Sequence, residues 1–328
     1  MKTKPIIIIS GEPYSVFLEI FFKSLKNKKT QSFKNPIVII ASYALLLKQM
    51  QRLKYSFKIN LIDDKLFDSK KLNNKSINLI NVNFNHKKTF DKISSKSNYY
   101  ISQCFDLGLK LMKENKGCAL INGPISKKYF LREKFPGITE YIASKTGCKE
   151  KEVMLIYNKN LSVSPITTHL PLKNIFKKIT IKKISNQVIA INKFYKKFLN
   201  KIPKIAITGL NPHCESTKIN NEEKKIISPS IKSLSKKRVK IFGPFAADTL
   251  FINKNLKKFD VVVGMYHDQV LTPIKTLYEF KAINITIGLP FIRVSPDHGT
   301  NNQMLGQNKS DPSSFQEALN FINKIRAI

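Results

Sequence analysis

Short apolar runs alternate with amphipathic stretches along the whole of this 328-residue chain. The runs are rich in isoleucine, leucine and valine, which is typical of strands that are buried on both faces. They predict strands over 5–9, 36–41, 77–82, 118–122, 152–157, 204–208 and 259–264. In the stretches between them, apolar residues recur every three or four positions, and this spacing predicts helices. Those helices span 14–27, 43–53, 98–114, 139–146, 183–199, 221–234 and 314–326.

The regular alternation of strand and helix predicts a layered α/β architecture with a mostly parallel sheet. Turn residues interrupt the pattern near Asn122-Gly123-Pro124 and near Asp297-His298-Gly299, so we place the domain junctions there. The last helix is expected to return to the first domain. The prediction is a first domain of residues 1–123 plus 300–328, and a second domain of residues 124–299 that carries most site residues.

Membrane association and disulfide bonding are not expected. No apolar run approaches the roughly 18–20 residues that span a bilayer, and residues 5–9 are too short for the core of a signal peptide. The four cysteines form no Cys-x-x-Cys pair, which is typical of reduced thiols in a reducing compartment. We therefore expect a cytoplasmic location. Cys214 directly follows a histidine and is an alternative metal ligand.

The formal net charge of +35 suggests nucleic-acid binding. However, only five of the 57 basic residues are arginine, and the lysines are spread along the chain, as expected from an AT-rich genome. The sequence has no RNA-binding or helix-turn-helix signature, so we expect no nucleic-acid partner. A positive field would instead speed the approach of a small phosphorylated substrate.

Three of the five histidines follow stretches that have the pattern of buried strands. His169 follows two threonines, His213 follows Gly-Leu-Asn-Pro, and His267 precedes Asp-Gln. Ligands of open α/β sheets bind at the carboxyl ends of strands. Three neutral imidazoles that meet there would form a divalent-metal site with coordination positions open to a substrate. The alternative is three unrelated loop histidines.

Four further side chains are candidates for chemistry. Thr139 lies near a predicted helix N-terminus, where it either helps to bind an anion such as phosphate or merely caps the helix. Asp248 either caps a short helix or faces the site, and Asp268 adjoins a histidine, so each is a candidate for orienting a ligand or transferring a proton. Arg293 indicates bidentate binding of a carboxylate or phosphate, or else an ion pair with Asp297.

The sequence contains neither a G-x-G-x-x-G fingerprint after a strand nor a P-loop. The sequence therefore does not identify which residues would bind a cofactor. A dinucleotide, if one binds, must bind by other means.

Several segments in this order resemble the 4-hydroxythreonine-4-phosphate dehydrogenase family, commonly called PdxA. They are Thr-Thr-His at 167–169, Gly-Leu-Asn-Pro-His at 209–213, Gly-Pro-Phe-Ala-Ala-Asp-Thr-Leu-Phe at 243–251, Met-Tyr-His-Asp-Gln at 265–269, and the segment 284–300. The resemblance runs from about residue 118 to 300. It implies two α/β/α domains with mostly parallel sheets, like those of isocitrate and isopropylmalate dehydrogenases. It also implies an active site in the interdomain cleft of a homodimer.

The resemblance also implies roles for individual residues. The implied ligands of a divalent metal (zinc, magnesium, manganese or cobalt) are His169, His213 and His267. The implied substrate contacts are Thr139, Lys275, Asn284 and Arg293. The implied reaction is the metal-dependent, NAD- or NADP-linked oxidation and decarboxylation of 4-phosphooxy-L-threonine in pyridoxal 5'-phosphate biosynthesis. We expect the catalytic carboxylate to be Asp248 or Asp268.

The chain departs from the family pattern at a few positions. Ile138 stands where the family has a histidine that contacts substrate, and Val270 stands where glycine is usual. After His213, the family's glycine-rich loop is absent. Two alternatives therefore stay open. One is a related dehydrogenase of another phosphorylated hydroxy acid, such as 4-phosphothreonate or 4-phosphoerythronate. The other is a basic nucleic-acid-binding protein on a decayed dehydrogenase scaffold.

Overall fold

The computed structural model describes residues 3–64, 72–132, 134–214, 221–279 and 281–325. The chain divides into two compact units. The first consists of Met1–Glu150 and Leu289–Ile328, and the second of Lys151–Gly288. In the described part of the chain, no helix is both long enough and apolar enough to cross a bilayer.

The first unit is built on a parallel sheet. Its strands are β1 (Ile6–Ile9), β2 (Ile37–Ala41), β3 (Ile59–Leu61), β4 (Ile77–Asn81), β5 (Ala119–Asn122) and β12 (Ile292–Pro296). They lie in the order β3-β4-β2-β1-β5-β12, and every neighbouring pair is parallel. Parallel strands need crossover connections, and the amphipathic stretches of the sequence supply them.

The helices of the first unit cover both faces of its sheet. They are α1 (Phe17–Leu25), α2 (Lys28–Gln31), α3 (Tyr43–Arg52), α4 (Asn98–Lys113), α5 (Ile138–Lys145) and α11 (Ser313–Lys324). Ile7 and Ile9 pack in one core cluster with residues of α4 and α5. Ile6 and Ile8 point to the opposite face because side chains alternate along a strand. All four isoleucines are fully buried, so this strand has no solvent-facing side.

The second unit has a mixed sheet. Its strands are β6 (Val153–Tyr157), β7 (Ser162–Thr167), β8 (Ile205–Thr208), β9 (Ile241–Phe245), β10 (Val261–Tyr266) and β11 (Ile283–Ile287). Their order is β11-β6-β7-β10-β8-β9. The four strands β7, β10, β8 and β9 are parallel, whereas β6 runs antiparallel to both of its neighbours.

The longer helices of the second unit are α6 (Ile181–Phe198), α7 (Ser228–Lys236) and α10 (His267–Tyr278), and the shorter ones are α8 (Ala247–Leu250) and α9 (Asn253–Leu256). Val163 on β7 packs with α10 residues in one core cluster. Ser162 and Ser164, on the other face of β7, accept hydrogen bonds from Tyr195 and Gln187 of α6, both at 2.8 Å. Helices therefore cover both faces here as well.

The layered α/β class is confirmed, and each predicted strand and helix overlaps an observed one. Within the predicted helix 221–234, the chain forms a π-helical turn (Glu223–Ile227) that leads into α7. The strands β3, β7, β9, β11 and β12 and the helices α2, α9 and α10 were not predicted as elements. The short helix expected at Asp248 is present as α8. Residues 64–97, expected to be surface loops around one strand, contain β4, while 65–71 lie outside the described residues.

The unit boundaries differ from the predicted junctions. We predicted them at 123/124 and 299/300, whereas the compact units divide at 150/151 and 288/289. The reason is packing: Tyr141 and Ile142 of α5 belong to the core of the first unit, and β12 pairs with β5 through Arg293 and Leu120. Consequently Thr139 and Arg293 belong to the first unit, and the other seven candidate residues to the second.

Candidate active site

The three candidate histidines lie at the carboxyl ends of three neighbouring parallel strands in the second unit. His169 is the second residue after β7, and His267 follows β10 directly as the first residue of α10. His213 follows β8 in a single helical turn, Pro212–Cys214. Since the strand order is β7-β10-β8, the sheet itself brings the three loops side by side.

The imidazole rings of His169 and His267 lie near each other. Their ring centroids are 6.1 Å apart. Two imidazoles bound at about 2.1 Å to one metal would have centroids roughly 5 Å apart. Within the described ranges, no three His, Cys, Asp or Glu side chains lie close enough together to hold a metal ion. Joint ligation by all three histidines therefore remains a prediction.

Two of the three imidazoles have a carboxylate beside Nδ1. His267 Nδ1 lies 2.6 Å from Asp268 Oδ1, and His213 Nδ1 lies 3.8 Å from Asp248 Oδ2, beyond hydrogen-bond distance. A carboxylate at one ring nitrogen leaves the other nitrogen for a metal and fixes the tautomer that can bind it. The donor set of this site thus fits a divalent metal.

The loop that carries His213 is held in an unusual conformation. His213 and Cys214 both have left-handed backbones, with φ of 57° and 58°. Such conformations cost of order 1–3 kcal/mol each in non-glycine residues and occur often at functional sites. The Cys214 thiol packs against Gly209, where an added Cβ would come within 2.6 Å of Sγ.

Glu223 anchors the same loop and was missed by the sequence analysis. Its Oε1 accepts hydrogen bonds from the backbone N–H groups of Leu210 at 2.9 Å and Asn211 at 2.8 Å. The Asn211 side chain donates to Oε2 at 2.9 Å. Burial raises the pKa of Glu223, but the hydrogen bonds from Asn211 and Leu210 outweigh it, so the net pKa is lowered. The carboxylate is therefore ionised while it holds the loop.

In the first unit, Arg293 and Thr139 form a buried polar group. Arg293 is completely buried, and Thr139 is nearly so. The guanidinium donates from Nε to Asn122 Oδ1 at 2.8 Å and from Nη1 to Thr139 Oγ1 at 3.1 Å. Burial lowers the pKa of Arg293 to about 10, and the carboxylate of Glu140 acts in the opposite direction. Arg293 thus stays charged at neutral pH.

Thr139 lies in the first turn of α5, whose N-cap residue is Gly137. The predicted position near a helix N-terminus is therefore confirmed. Because Thr139 Oγ1 accepts from a cation, its own hydroxyl proton can be donated to another acceptor.

Two predicted substrate contacts lie elsewhere in the second unit. Lys275 is on α10, two turns beyond His267, and is partly buried. Asn284 is on β11, and its Oδ1 is buried without a hydrogen-bond partner among the described residues. Buried polar atoms are nearly always paired, so this orphan oxygen is suited to a donor from a ligand.

The structure accounts for one departure from the family pattern. Val270, on α10, is fully buried in the core of the second unit. A Cβ added at Gly264 would come within 2.4 Å of Val270 Cγ1. The valine methyl groups therefore occupy the space that Gly264 leaves empty on β10.

The chain matches the family model described as pyridoxal phosphate biosynthetic protein PdxA over residues 32–322. It is 39% identical to a 4-hydroxythreonine-4-phosphate dehydrogenase of Sulfurihydrogenibium sp., with 95% of each chain covered. It is 33% identical to one of Wigglesworthia glossinidia brevipalpis, with 97% of this chain and 95% of the relative covered.

Solved structures agree with these likenesses. A 4-hydroxythreonine-4-phosphate dehydrogenase of Klebsiella pneumoniae, 26% identical, has a TM-score of 0.82 over 98% of both chains. A beta-decarboxylating dehydrogenase of Thermococcus kodakarensis has a TM-score of 0.53 at 8% identity, covering 97% of this chain and 82% of the other. The second likeness concerns the fold alone and bears out the predicted fold class.

Proposed function

Since this chain belongs to the PdxA family, we propose that it oxidises and decarboxylates 4-phosphooxy-L-threonine to 3-amino-2-oxopropyl phosphate in pyridoxal 5'-phosphate biosynthesis. The predicted enzyme class, a dehydrogenase, agrees with the names of its relatives. The observation that carries the proposal is the placement of three histidines at adjacent carboxyl ends of β7, β10 and β8.

We assign metal binding to His169, His213 and His267. When bound, a divalent metal lowers the pKa of a substrate hydroxyl and stabilises negative charge that develops on oxygen. Asp268 holds the imidazole of His267 through Nδ1, so that Nε2 is directed away from the carboxylate. Zinc, magnesium, manganese and cobalt all remain candidates, because imidazole donors accept several of these ions.

We assign the general base to Asp248. Its Oδ2 lies 3.8 Å from His213 Nδ1, so the oxygen is near the imidazole but not hydrogen-bonded to it. Asp268, whose Oδ1 is 2.6 Å from His267 Nδ1, is better suited to orienting its histidine. In this assignment Asp248 takes the proton of the substrate hydroxyl, while the carbon that bears this hydroxyl gives up a hydride to NAD or NADP.

We assign the charged and polar groups of the substrate to the remaining candidates. Thr139 donates its hydroxyl proton to a substrate oxygen, and the buried Arg293 behind it strengthens that donor. Asn284 offers a buried Oδ1 to a donor on the substrate, and Lys275 supplies a positive charge. A homodimer and a cytoplasmic location remain predictions, the first of which light scattering tests directly.

A second candidate substrate is another phosphorylated hydroxy acid, such as 4-phosphothreonate or 4-phosphoerythronate. The residue that favours it is Ile138, the first residue of α5 and the neighbour of Thr139. Its side chain packs against the core of the first unit. An apolar side chain here offers no hydrogen bond to a substrate.

The test is NADH formation from 4-phosphooxy-L-threonine by purified protein, with and without added divalent metal. Metal-dependent turnover with release of carbon dioxide is the expected result. Activity that persists in metal-stripped buffer would refute the metal assignment. If folded protein turns over neither dinucleotide with any metal, the substrate assignment is wrong, and the phosphorylated hydroxy acids above become the next substrates to assay.

A further inference from the structure

Gln269, in the first turn of α10, forms hydrogen bonds to the ends of two neighbouring strands. Its Oε1 accepts from the backbone N–H of Met265 on β10 at 2.7 Å and from the hydroxyl of Thr208 on β8 at 2.8 Å. Its Nε2 donates to the carbonyl of Gly209, just beyond β8, at 2.8 Å. All three contacts of this single amide have good hydrogen-bond distances.

A second side chain extends this link to the third strand. The hydroxyl of Thr167, the last residue of β7, donates to the carbonyl of Met265 at 2.8 Å. Both backbone polar groups of Met265 are thus bonded: its carbonyl accepts from Thr167, and its N–H donates to Gln269. Thr167 and Thr208 are fully buried. We call Thr167, Met265, Gln269, Thr208 and Gly209 the strand-end brace.

The strand-end brace lies directly beside the three histidine positions in the chain. Thr167 is two residues before His169, Gln269 is two residues after His267, and Gly209 is four residues before His213. In the ladder between β10 and β8, Val261, Val262 and Val263 pair with Ile205, Ala206 and Ile207. Beyond the pair of Val263 and Ile207, Gln269 bridges the two strand ends through its hydrogen bonds to Met265, Thr208 and Gly209.

We propose that Gln269 is a positioning residue that sets the spacing of the loops carrying His213 and His267, and so the affinity of the site for metal. This inference rests on the proposed metal site. Metal ligands must be held within about 0.5 Å of their productive positions. A brace that joins β7, β10 and β8 at their ends restricts all three loops at once.

The chemistry of the amide explains why glutamine occupies this position. The side chain must accept two hydrogen bonds and donate one, which an amide can do and a carboxylate cannot. In Gln269→Glu, the two acceptor contacts remain, but a negative oxygen faces the carbonyl of Gly209. In Gln269→Met, the length is similar and all three bonds are lost.

The experiment measures cobalt(II) affinity of metal-stripped protein by competition with a chelator, together with the visible absorption of the bound ion. Gln269→Glu should bind cobalt at least about tenfold more weakly than wild type. This is the lower end of the loss of metal affinity that follows when residues supporting metal ligands are changed. The matched control is Gln187→Glu. Gln187 is also buried in this unit and donates to Ser164 Oγ and Pro165 O at 2.8 and 2.9 Å, within β7 rather than at its end.

The control separates positioning from general stability. Gln187→Glu should lower the urea midpoint of the apoprotein while leaving cobalt affinity within twofold of wild type. For Gln269→Glu, cobalt affinity should fall about tenfold even if the urea midpoint falls no further than it does in Gln187→Glu. Equal cobalt affinity in Gln269→Glu and wild type would overturn the inference and leave the proposed metal site intact. Failure of wild-type protein to bind cobalt would overturn the metal site and this inference together.

A second pair of variants, neither of which buries a new charge, covers the case in which Gln269→Glu does not fold. Thr208→Val removes one hydroxyl, and Gln269→Met removes its acceptor together with two other bonds. If the two residues act through one contact, the combined variant should lose less affinity than the product of the single losses. Unchanged cobalt affinity in both single variants would also overturn the inference.

Discussion

Glu12 should make the stability of this protein fall as the pH rises from mildly acidic to neutral. It lies just beyond β1 and is 2% exposed. Its Oε2 accepts a hydrogen bond from Ser97 at 3.0 Å, and Tyr14 N–H is 3.5 Å from Oε1. Burial raises the pKa of Glu12 to about 7, and these two hydrogen bonds offset only part of the effect.

The sign follows from proton uptake. In the unfolded chain Glu12 ionises near its ordinary pKa of 4.5, whereas in the folded protein it keeps its proton until about pH 7. Between these values folding binds a proton, so the stability contributed by the raised pKa is complete below pH 4.5 and lost as pH rises through 7. The loss amounts to about 3 kcal/mol in the free energy of unfolding.

The assay is urea unfolding of wild type and Glu12→Gln at a series of pH values from 4 to 8. Glutamine cannot ionise, so the difference in unfolding free energy, variant minus wild type, should rise by about 3 kcal/mol across that range. Other titrating groups cancel in the difference. A difference that stays constant within about 0.5 kcal/mol would refute the assigned burial of this carboxyl.

A surface carboxylate with the opposite behaviour serves as the control. The hydrogen bond from Lys116 lowers the pKa of Glu114. The same difference measured for Glu114→Gln should therefore change in the other direction with pH. If both variants shift in the same direction, the effect arises from general charge removal rather than from the burial of Glu12.

Three further predictions concern the candidate site. His267→Ala should abolish turnover while circular dichroism and the urea midpoint stay close to wild type, because the side chain is 35% exposed; retained kcat would contradict metal ligation by this residue. Arg293→Lys should lower the free energy of unfolding by about 2–3 kcal/mol and raise KM, because lysine cannot make both guanidinium contacts, one of which is to Thr139. An unchanged KM would show that Arg293 does not support substrate binding. Gly264→Ala should cost about 1–3 kcal/mol through contact with Val270, and combining it with Val270→Ala should cost less than the sum of the two single changes; strict additivity in urea unfolding would show that the two residues do not compete for space.

The sequence predicted strands best where both faces of the strand are apolar. Such strands are continuous apolar runs, and β1, with four isoleucines, is the clearest case. β7 was missed because Ser162 and Ser164 interrupt its apolar pattern. Those buried serines accept hydrogen bonds from α6. A partner so distant along the chain leaves no local signal in the sequence.

The helix α10 and the unit boundaries were missed for related reasons. α10 begins at His267 and contains Pro273, which usually marks a helix end. Its stability comes from tertiary packing of Val270 and Ile274, both fully buried. The turn at Asn122-Gly123-Pro124 is a real local interruption. Whether a turn is also a boundary between units depends on which core the next helix joins, and that is a non-local property.

Candidate site residues could be named from the sequence where one residue type carried the chemistry, and could not be named where geometry carried it. Histidines are few in this chain, so three at strand ends were noticeable. Gln269 was noticed only as part of the Met-Tyr-His-Asp-Gln motif. The sequence does not show which groups its amide bonds to, so its role could not be predicted. Glu223 had only a weak signal in the sequence. Acidic residues are scarce in this chain, 22 against 57 basic ones, but scarcity does not show that Glu223 is buried.

The charge imbalance bears on how the site must be built. Lysine is a compact point charge on a flexible stem and suits exposed positions. A buried position requires fixed geometry, since a misplaced polar group there costs free energy without compensation. Arg293 in the first unit and Glu223 in the second meet that requirement with two and four hydrogen bonds respectively. In a chain with so many lysines, buried polar residues such as Arg293 and Glu223 are therefore more informative about the site than the exposed lysines are.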